Sequence, residues 1–342
     1  MTTRVTIKDV AREAGVSTAL VSVVLNARRR EDGSLDCDIN RDTAARVLKV
    51  VERMGYRRNK VAAGLRSGKS CTVGVITPDI SNMAFAEIGR SIEDVAREND
   101  YTVMFGSSEE NAVRQEELVD AFIAAGVDGL IIIPCADGEK SAEKAVRQGV
   151  PVVLSNRDIP GLEGVGRVSI DHSWSLRKAV RHLYDNGCRS IHLISENMPV
   201  SSVSDRERGY TATMKELGLD PVIHAVGTDT QREETISAVK DAVRDGVDAL
   251  IAARIQLSFF CIEALQETGC RIPDDMALIC ADDSPVYHLY RPTISFISHS
   301  SFQIGEKSFN LLKDMMEGAA PYQVILEPEL HVGGSSVRKK IK

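Results

Sequence analysis

No stretch of this 342-residue chain approaches the ~20 consecutive apolar residues that a bilayer-spanning helix needs. The N-terminus, MTTRVTIKDV, lacks the apolar core of an export signal. The seven cysteines (Cys37, Cys71, Cys135, Cys188, Cys261, Cys270 and Cys280) form no CxxC pair. An odd, scattered set without an export signal fits a reducing cytoplasm rather than a disulfide framework. There is no GxxxxGK[ST] phosphate loop and no HExxH or clustered His/Cys spacing. Gly161-Leu162-Glu163-Gly164-Val165-Gly166 has the wrong glycine order for a dinucleotide turn and reads as loop. Asp171-His172 is a lone pair that reads as a helix start, not a catalytic dyad. No catalytic residue, metal or cofactor is therefore expected. Nor do leucine heptads follow the last apolar segments, so no coiled coil is expected there.

What is present is unevenly charged. Hydrophobic residues make up 43% and charged residues 27% of the chain, enough for a sizeable globular core, and the length suits more than one unit. Residues 1–70 hold 15 Lys+Arg against 8 Asp+Glu, a net of +7, and the remaining 272 residues carry a net of −14. A basic N-terminal module on an acidic body fits a polyanion as partner of that module alone.

The basic segment coincides with a second signal. Thr6 to Asn26, TIKDVAREAGVSTALVSVVLN, reads as two short helices around a tight turn. Thr6 is placed to cap the first, whose Ile7, Val10, Ala11 and Ala14 share one face. Gly15 supplies the positive φ of a sharp turn. Ser17 is placed to cap the second, with Val21, Val24 and Leu25 inward. Such a pair holds the outer face of its second helix where it enters a DNA major groove. After a polar loop containing Arg28, Arg29 and Arg30, candidate phosphate contacts, a third helix runs from its cap Asn40 to about Met54. Ala44, Val47, Leu48 and Val51 face inward, and Gly55 ends it. Asn59 to Ser67 is a short candidate helix in a linker, followed by a Ser-Gly-Lys-Ser joint.

From Cys71 strands and helices alternate. Strands are expected over Thr72–Ile76, Tyr101–Gly106, Gly129–Ile133, Val150–Leu154, Ser190–Ile194, Ala249–Ala253 and Met276–Cys280. Helices are expected over Phe85–Glu98, Val113–Ala125, Ser173–Asn186, Asp205–Leu217, Glu233–Asp245, Leu257–Thr268 and Phe302–Met316. The alternation implies parallel sheets with helices on both faces. AGVDGLI at 125–131 and DGVDALI at 245–251, 120 residues apart, suggest two similar α/β halves. Ligands of open α/β sheets sit beyond the carboxyl ends of the strands, which between two halves is a cleft.

The blocks TIKDVAREAGVS, VSVVLN, GYRRN, VGVITPDISN, GVDGLIII, GVPVVL, ICADDS and RPTISFIS resemble, in the same order, the lactose/galactose repressor (LacI/GalR) family of bacterial transcription regulators. The resemblance implies an all-α helix-turn-helix headpiece (1–58), a hinge helix and linker (59–70), and an α/β core of two doubly wound periplasmic-binding-protein-like subdomains (71–342). It implies a cytoplasmic homodimer on a near-palindromic double-stranded DNA operator, a repressor controlled by a small molecule such as a sugar or sugar derivative. The implied DNA-facing residues are Thr6, Ser17, Thr18, Ala19, Ser22, Val23, Asn26 and Tyr56, with Asn59, Ala62 and Leu65 in the hinge. Thr18, Ala19 and Val23 would read bases, and Leu65 would wedge into the minor groove. Where the family often carries arginine and threonine, this chain has Val23 and Leu20. Methyl contacts and shape therefore replace bidentate contacts to guanine. The implied effector-binding residues are Asn82, Phe85, Asn156, Arg206, Arg254 and Asp282. Met83-Ala84 replaces a Pro-aromatic pair, and Arg254-Ile255 replaces an Asn-Asp pair. Two readings stay open: Arg254 favours an acidic or phosphorylated ligand, or it pairs with a neighbouring carboxylate. The functional alternatives are a ligand-independent regulator or activator with a degenerate cleft and, last, a solute-binding protein.

Overall fold

The computed structural model describes residues 5–27, 35–56 and 69–338, with only the backbone of Asn26. Arg28, Arg29, Arg30 and the hinge residues Asn59, Ala62 and Leu65 lie outside the described residues. The chain divides into two units, Met1–Ser70 and Cys71–Lys342.

The first unit holds three helices, α1 (Ile7–Ala14), α2 (Thr18–Asn26) and α3 (Arg41–Arg53). Each begins at a capping side chain. Thr6 and Asp9 form a reciprocal capping box on α1, Ser17 Oγ accepts from the Leu20 N–H, and Asn40 Oδ1 accepts from the Asp42 N–H. Gly15 ends α1 at φ +63°, the left-handed conformation that lets the chain turn at once into α2. The core is Val10, Ala11, Ala14, Val21, Val24, Ala44, Val47 and Val50. On α3 the innermost third position is Val50. Leu48 and Val51, expected inward, are only partly buried at its rim, because Ala44, Val47 and Val50 already form the i, i+3 stripe that meets α1 and α2.

The second unit is two lobes. The strands of the first are β1 (Thr72–Thr77), β2 (Thr102–Ser107), β3 (Gly129–Ile132), β4 (Val152–Ser155), β5 (Gly166–Ile170) and β11 (Gln323–Leu326). They pair in the order β11-β5-β4-β3-β1-β2, all parallel. Helices α4 (Met83–Glu98), α5 (Ala112–Ala124), α6 (Glu139–Arg147) and α11 (Ser301–Met316) cover this sheet. The strands of the second lobe are β6 (Ile191–Glu196), β7 (Val222–Val226), β8 (Ala249–Ala252), β9 (Ala277–Cys280), β10 (Ser295–Ser298) and β12 (Glu329–His331), with helices α7 (His172–Asp185), α8 (Ser201–Glu216), α9 (Gln231–Arg244) and α10 (Ile255–Glu267). Their order is β12-β10-β9-β8-β6-β7, with only β12 antiparallel. Counted within each lobe, both sheets run 2-1-3-4-5-6, a doubly wound order.

The internal repeat marks the same joint in each lobe. Gly126 and Gly246 turn at φ +77° and +70°. Asp128 then accepts from the Cys71 N–H at 2.8 Å, and Asp248 from the N–H groups of Arg189 and Ser190 at 2.8 and 3.0 Å. Each aspartate thus ties a helix-to-strand turn to the chain entering its lobe's first strand.

The chain crosses between lobes three times: from β5 to α7, from β10 to α11, and from β11 to β12. From Cys71 on, the expected strands and helices are present. Helix α8 starts at Ser201, a turn before the expected Asp205, and α6, β5, β7, β10, β11 and β12 were not expected as elements.

Candidate functional site

The outer face of α2 is one candidate surface. Val21 and Val24 are fully buried, which turns Thr18, Ala19 and Val23 outward, all exposed, with Ser22 half-buried. Val23 is 46% exposed. Two expected DNA-facing side chains hold structure as well. Thr6 donates its hydroxyl and its backbone N–H to Asp9 at 2.7 and 3.0 Å, which holds the Asp9 carboxyl below its usual range. Ser17 caps α2. Tyr56 is half-buried and packs on the helical core. Some of the positive charge is spent locally: Arg53 pairs with Glu13, Arg12 with Asp9 at 2.7 Å, and Arg46 Nε donates to the Ala14 carbonyl at 3.2 Å. Lys8 and Lys49 remain exposed.

The second site lies between the lobes. The carboxyl ends of five strands converge on one cavity lined by Asn82, Phe85, Asn156, Arg206, Arg254 and Asp282, the place that doubly wound sheets offer a ligand. Asn82 caps α4, its Oδ1 accepting from the Ala84 N–H at 3.0 Å. That cap aims the first turn of α4, and with it Phe85, into the cleft. Asn156 follows β4 at φ +61°, a conformation asparagine tolerates. Arg206 comes from α8, Arg254 follows β8, and Asp282 follows β9. The first three residues belong to the first lobe, the last three to the second.

The charges in this cleft are matched. Arg206 Nη2 donates to Asp282 Oδ1 at 3.0 Å, and His299 Nδ1 lies 2.8 Å from the same oxygen. Burial pushes the Asp282 carboxyl up, but the Arg206 charge and the His299 hydrogen bond outweigh it and hold the group down at about 2. Arg254 pairs with buried Glu196, so a carboxylate already faces its charge, as the second reading of Arg254 has it. Arg157, 4% exposed, donates to both oxygens of Glu110 at 2.8 and 3.0 Å and lies over the Phe85 ring, 5.4 Å from its centroid. His172 Nε2 donates to the Asn156 carbonyl at 3.3 Å, and its ring meets His299 edge-on at 5.5 Å. Burial, reinforced by the nearby Arg206 charge, keeps His172 well below the usual histidine range, and burial lowers His299 too.

Three buried polar atoms here have no hydrogen-bond partner: Arg157 Nε, Arg206 Nε and His172 Nδ1. The sequence reading missed Arg157, Glu196, His172 and His299 as members of the cluster. Their only signal is position, Glu196 ending β6 and the others lying just past β4, β5 and β10. The lobes meet across the cleft: the Asp158 N–H donates to Ser201 Oγ at 2.7 Å, and Arg157 Nη2 lies 3.8 Å from Met198 Sδ.

The enclosed cavity is small, about 40 Å³. At its mouth a recess of about 410 Å³ shares Asn82 and Arg254 and adds Met198, Gln231 and Phe259. A larger recess, about 710 Å³, lies elsewhere, between α6 and residues 159–163. None of its lining residues is buried, so it lacks the convergent buried polar groups that mark a ligand site. Among the described residues, no helix is long and apolar enough to cross a membrane and no group of three or more His, Cys, Asp or Glu is placed to hold a metal.

Comparison with known proteins places both units. The model of bacterial regulatory proteins of the lacI family matches residues 6–59, and that of the periplasmic binding protein-like domain matches residues 180–336. Catabolite control protein A of Priestia megaterium is 32% identical over 318 residues, covering 91% of this chain and 92% of the relative. Among solved structures, the lac repressor dimer bound to operator and the anti-inducer ONPF superimposes with a TM-score of 0.83 at 23% identity, covering 98% of this chain and 99% of that one. The transcriptional regulator CelR in complex with cellobiose gives 0.69 at 23% identity, covering 97% and 100%.

Proposed function

The chain belongs to the lacI family of bacterial regulatory proteins, and from that premise we propose that it is a cytoplasmic, dimeric repressor whose hold on a near-palindromic operator is set by a neutral hydroxylated metabolite, a sugar or sugar derivative, bound between the lobes. That it is a DNA-binding transcriptional regulator with a ligand-binding core follows from the family itself. The DNA-facing set of the proposal is Thr6, Ser17, Thr18, Ala19, Ser22, Val23, Asn26 and Tyr56, with Asn59, Ala62 and Leu65 leading towards the core.

One observation carries the ligand proposal: six residues, three from each lobe, line one cavity. Each guanidinium there already has a carboxylate, Arg157 with Glu110, Arg206 with Asp282 and Arg254 with Glu196. A ligand carrying full negative charge would have to compete with these carboxylates in a desolvated site. Of the groups lining the cavity, two N–H donors stay open, Arg157 Nε and Arg206 Nε. Hydroxyl oxygens accept from both. Cellobiose, named with one structural neighbour, is of this class. The enclosed space of about 40 Å³ is below the ~300 Å³ of an ordinary ligand site, so the lobes part to admit the ligand and close on it. Binding that favours one lobe arrangement shifts the population of operator-competent dimers.

Two measurements test this. Pull-down of fragmented genomic DNA by the full-length protein, followed by sequencing, is expected to enrich a near-palindrome; enrichment without sequence preference overturns the operator reading. Calorimetry against neutral mono- and disaccharides and their phosphates is expected to find a neutral binder that also changes operator affinity. Binding of phosphorylated sugars alone overturns the ligand class.

A further inference from the structure

Among the described residues of the first unit, Val23 is the one large apolar side chain left exposed. It does not stand alone. Ala19, one turn earlier, shares its face, and both point away from the buried Val21 and Val24. From Thr18 to Leu25, TALVSVVL, the helix has no Arg, Lys, Asn, Gln, Asp or Glu. The side chains that form bidentate contacts to guanine or adenine are therefore missing from the part of the helix that meets base edges.

The major groove offers an apolar side chain one apolar target. Purine edges and cytosine N4 present hydrogen-bonding atoms, while thymine adds the C5 methyl group. Cytosine carries a hydrogen at the same carbon. Residues 19 and 23 are separated by about 6 Å along the helix, close to two base-pair steps of about 3.4 Å. Resting on the reading that α2 enters the major groove, we propose that Ala19 and Val23 recognise the C5 methyl groups of operator pyrimidines, so that thymine and 5-methylcytosine are interchangeable at these positions and unmethylated cytosine is rejected. Apolar contact at a few methyl groups then contributes to specificity beside the Thr18 hydroxyl. Cytosine methylation of a site with C in place of T creates the contact and with it a binding site.

The test uses the full-length protein and an operator obtained by binding-site selection. Failure to select any operator overturns the underlying DNA reading and is distinguishable from failure of the methyl contacts, which needs a selected operator to observe. With an operator in hand, each thymine is replaced singly by deoxyuridine, which removes the methyl group and leaves every hydrogen-bonding atom. Affinities are read by fluorescence anisotropy at one fixed salt concentration. The expected result is a loss of about fourfold, the worth of one buried methyl group, at one or two positions in each half-site. Replacing such a thymine by cytosine weakens binding, and 5-methylcytosine restores it. Val23→Ser, at an exposed position, is expected to keep the helical content and melting temperature while erasing the thymine–deoxyuridine difference at one position. Specific binding that tolerates deoxyuridine at every thymine overturns the proposal, as does a pattern of differences that stays unchanged at every position in Val23→Ser.

Discussion

Asp282→Asn tests the electrostatic account of the cleft. The substitution keeps the shape of the side chain and an oxygen to accept from His299 Nδ1, but removes the charge that faces Arg206 at 3.0 Å. The Arg206 side chain is 8% exposed and its Nε has no partner, so the guanidinium becomes a buried cation without a counter-charge. Breaking one partner of a buried pair costs about 3–5 kcal/mol, and the retained acceptor puts this case at the lower end, about 3. For a unit of this size each kcal/mol moves the melting temperature by roughly 2–4 °C, so the second unit should melt about 6–12 °C lower. Differential scanning calorimetry reads the shift. Arg206→Met/Asp282→Asn removes both charges and leaves His299 an acceptor, and should recover to within about 1 kcal/mol of the parent. If Asp282→Asn melts within about 2 °C of the parent, or the double variant is no more stable than the single, the pair is not held as argued.

Acid should weaken the second unit in two stages. His172 and His299 are buried with lowered pKa values, so their neutral state is fully accommodated above about pH 6.5, and stability falls as the unfolded chain begins to take up protons below that. The Asp282 contribution, with a folded pKa of about 2, persists until the pH drops below about 4. Urea midpoints at pH 7.5, 6 and 5 check the first stage, and His172→Gln should flatten it. Gly209→Ala should destabilise the second unit by at least about 2 kcal/mol, because a Cβ there would stand 2.2 Å from the Ser173 carbonyl oxygen and force α7 from α8; a melt within error of the parent would refute that close approach. Thr6→Ala breaks the capping box and should cost the first unit about 1 kcal/mol, seen as faster hydrogen exchange of the Asp9 amide.

The sequence was most legible where local chemistry and burial agree. Thr6, Gly15, Ser17 and Asn40 do what their residue types favour, and the fully buried strands β3, β4, β8 and β9, with the nearly buried β1, show as mainly apolar runs. Four of the elements that went unseen have a burial that leaves no apolar pattern. Helix α6 buries only Ser141, Ala142 and Ala145, so its inward face looks polar and small. Strands β7, β11 and β12 are edge strands, largely exposed or half-buried. In the cleft, resemblance pointed to six of the lining residues. The partners in the ion pairs were out of reach, even where pairing of Arg254 with a carboxylate was foreseen, because Glu196 and Arg254 are 58 positions apart, and Glu110 and Arg157 are 47 apart. Such partners meet only once strand order is known.

The threefold crossing between lobes has a consequence for how the protein is made. The first lobe's early strands leave the ribosome with residues 72–170, yet its covering helix α11 and its edge strand β11 come from residues 301–326. Ser155 Oγ, at the end of β4, waits for Ser308 Oγ, 2.9 Å away and 153 positions downstream. Throughout synthesis of the intervening residues, the nascent first lobe therefore presents Ile88, Ile131 and Val153 without the Ile304, Phe309, Leu311 and Leu312 that complete their cluster. A stalled or truncated message would yield a chain with an open apolar flank, a substrate for chaperones and proteases rather than a smaller working regulator.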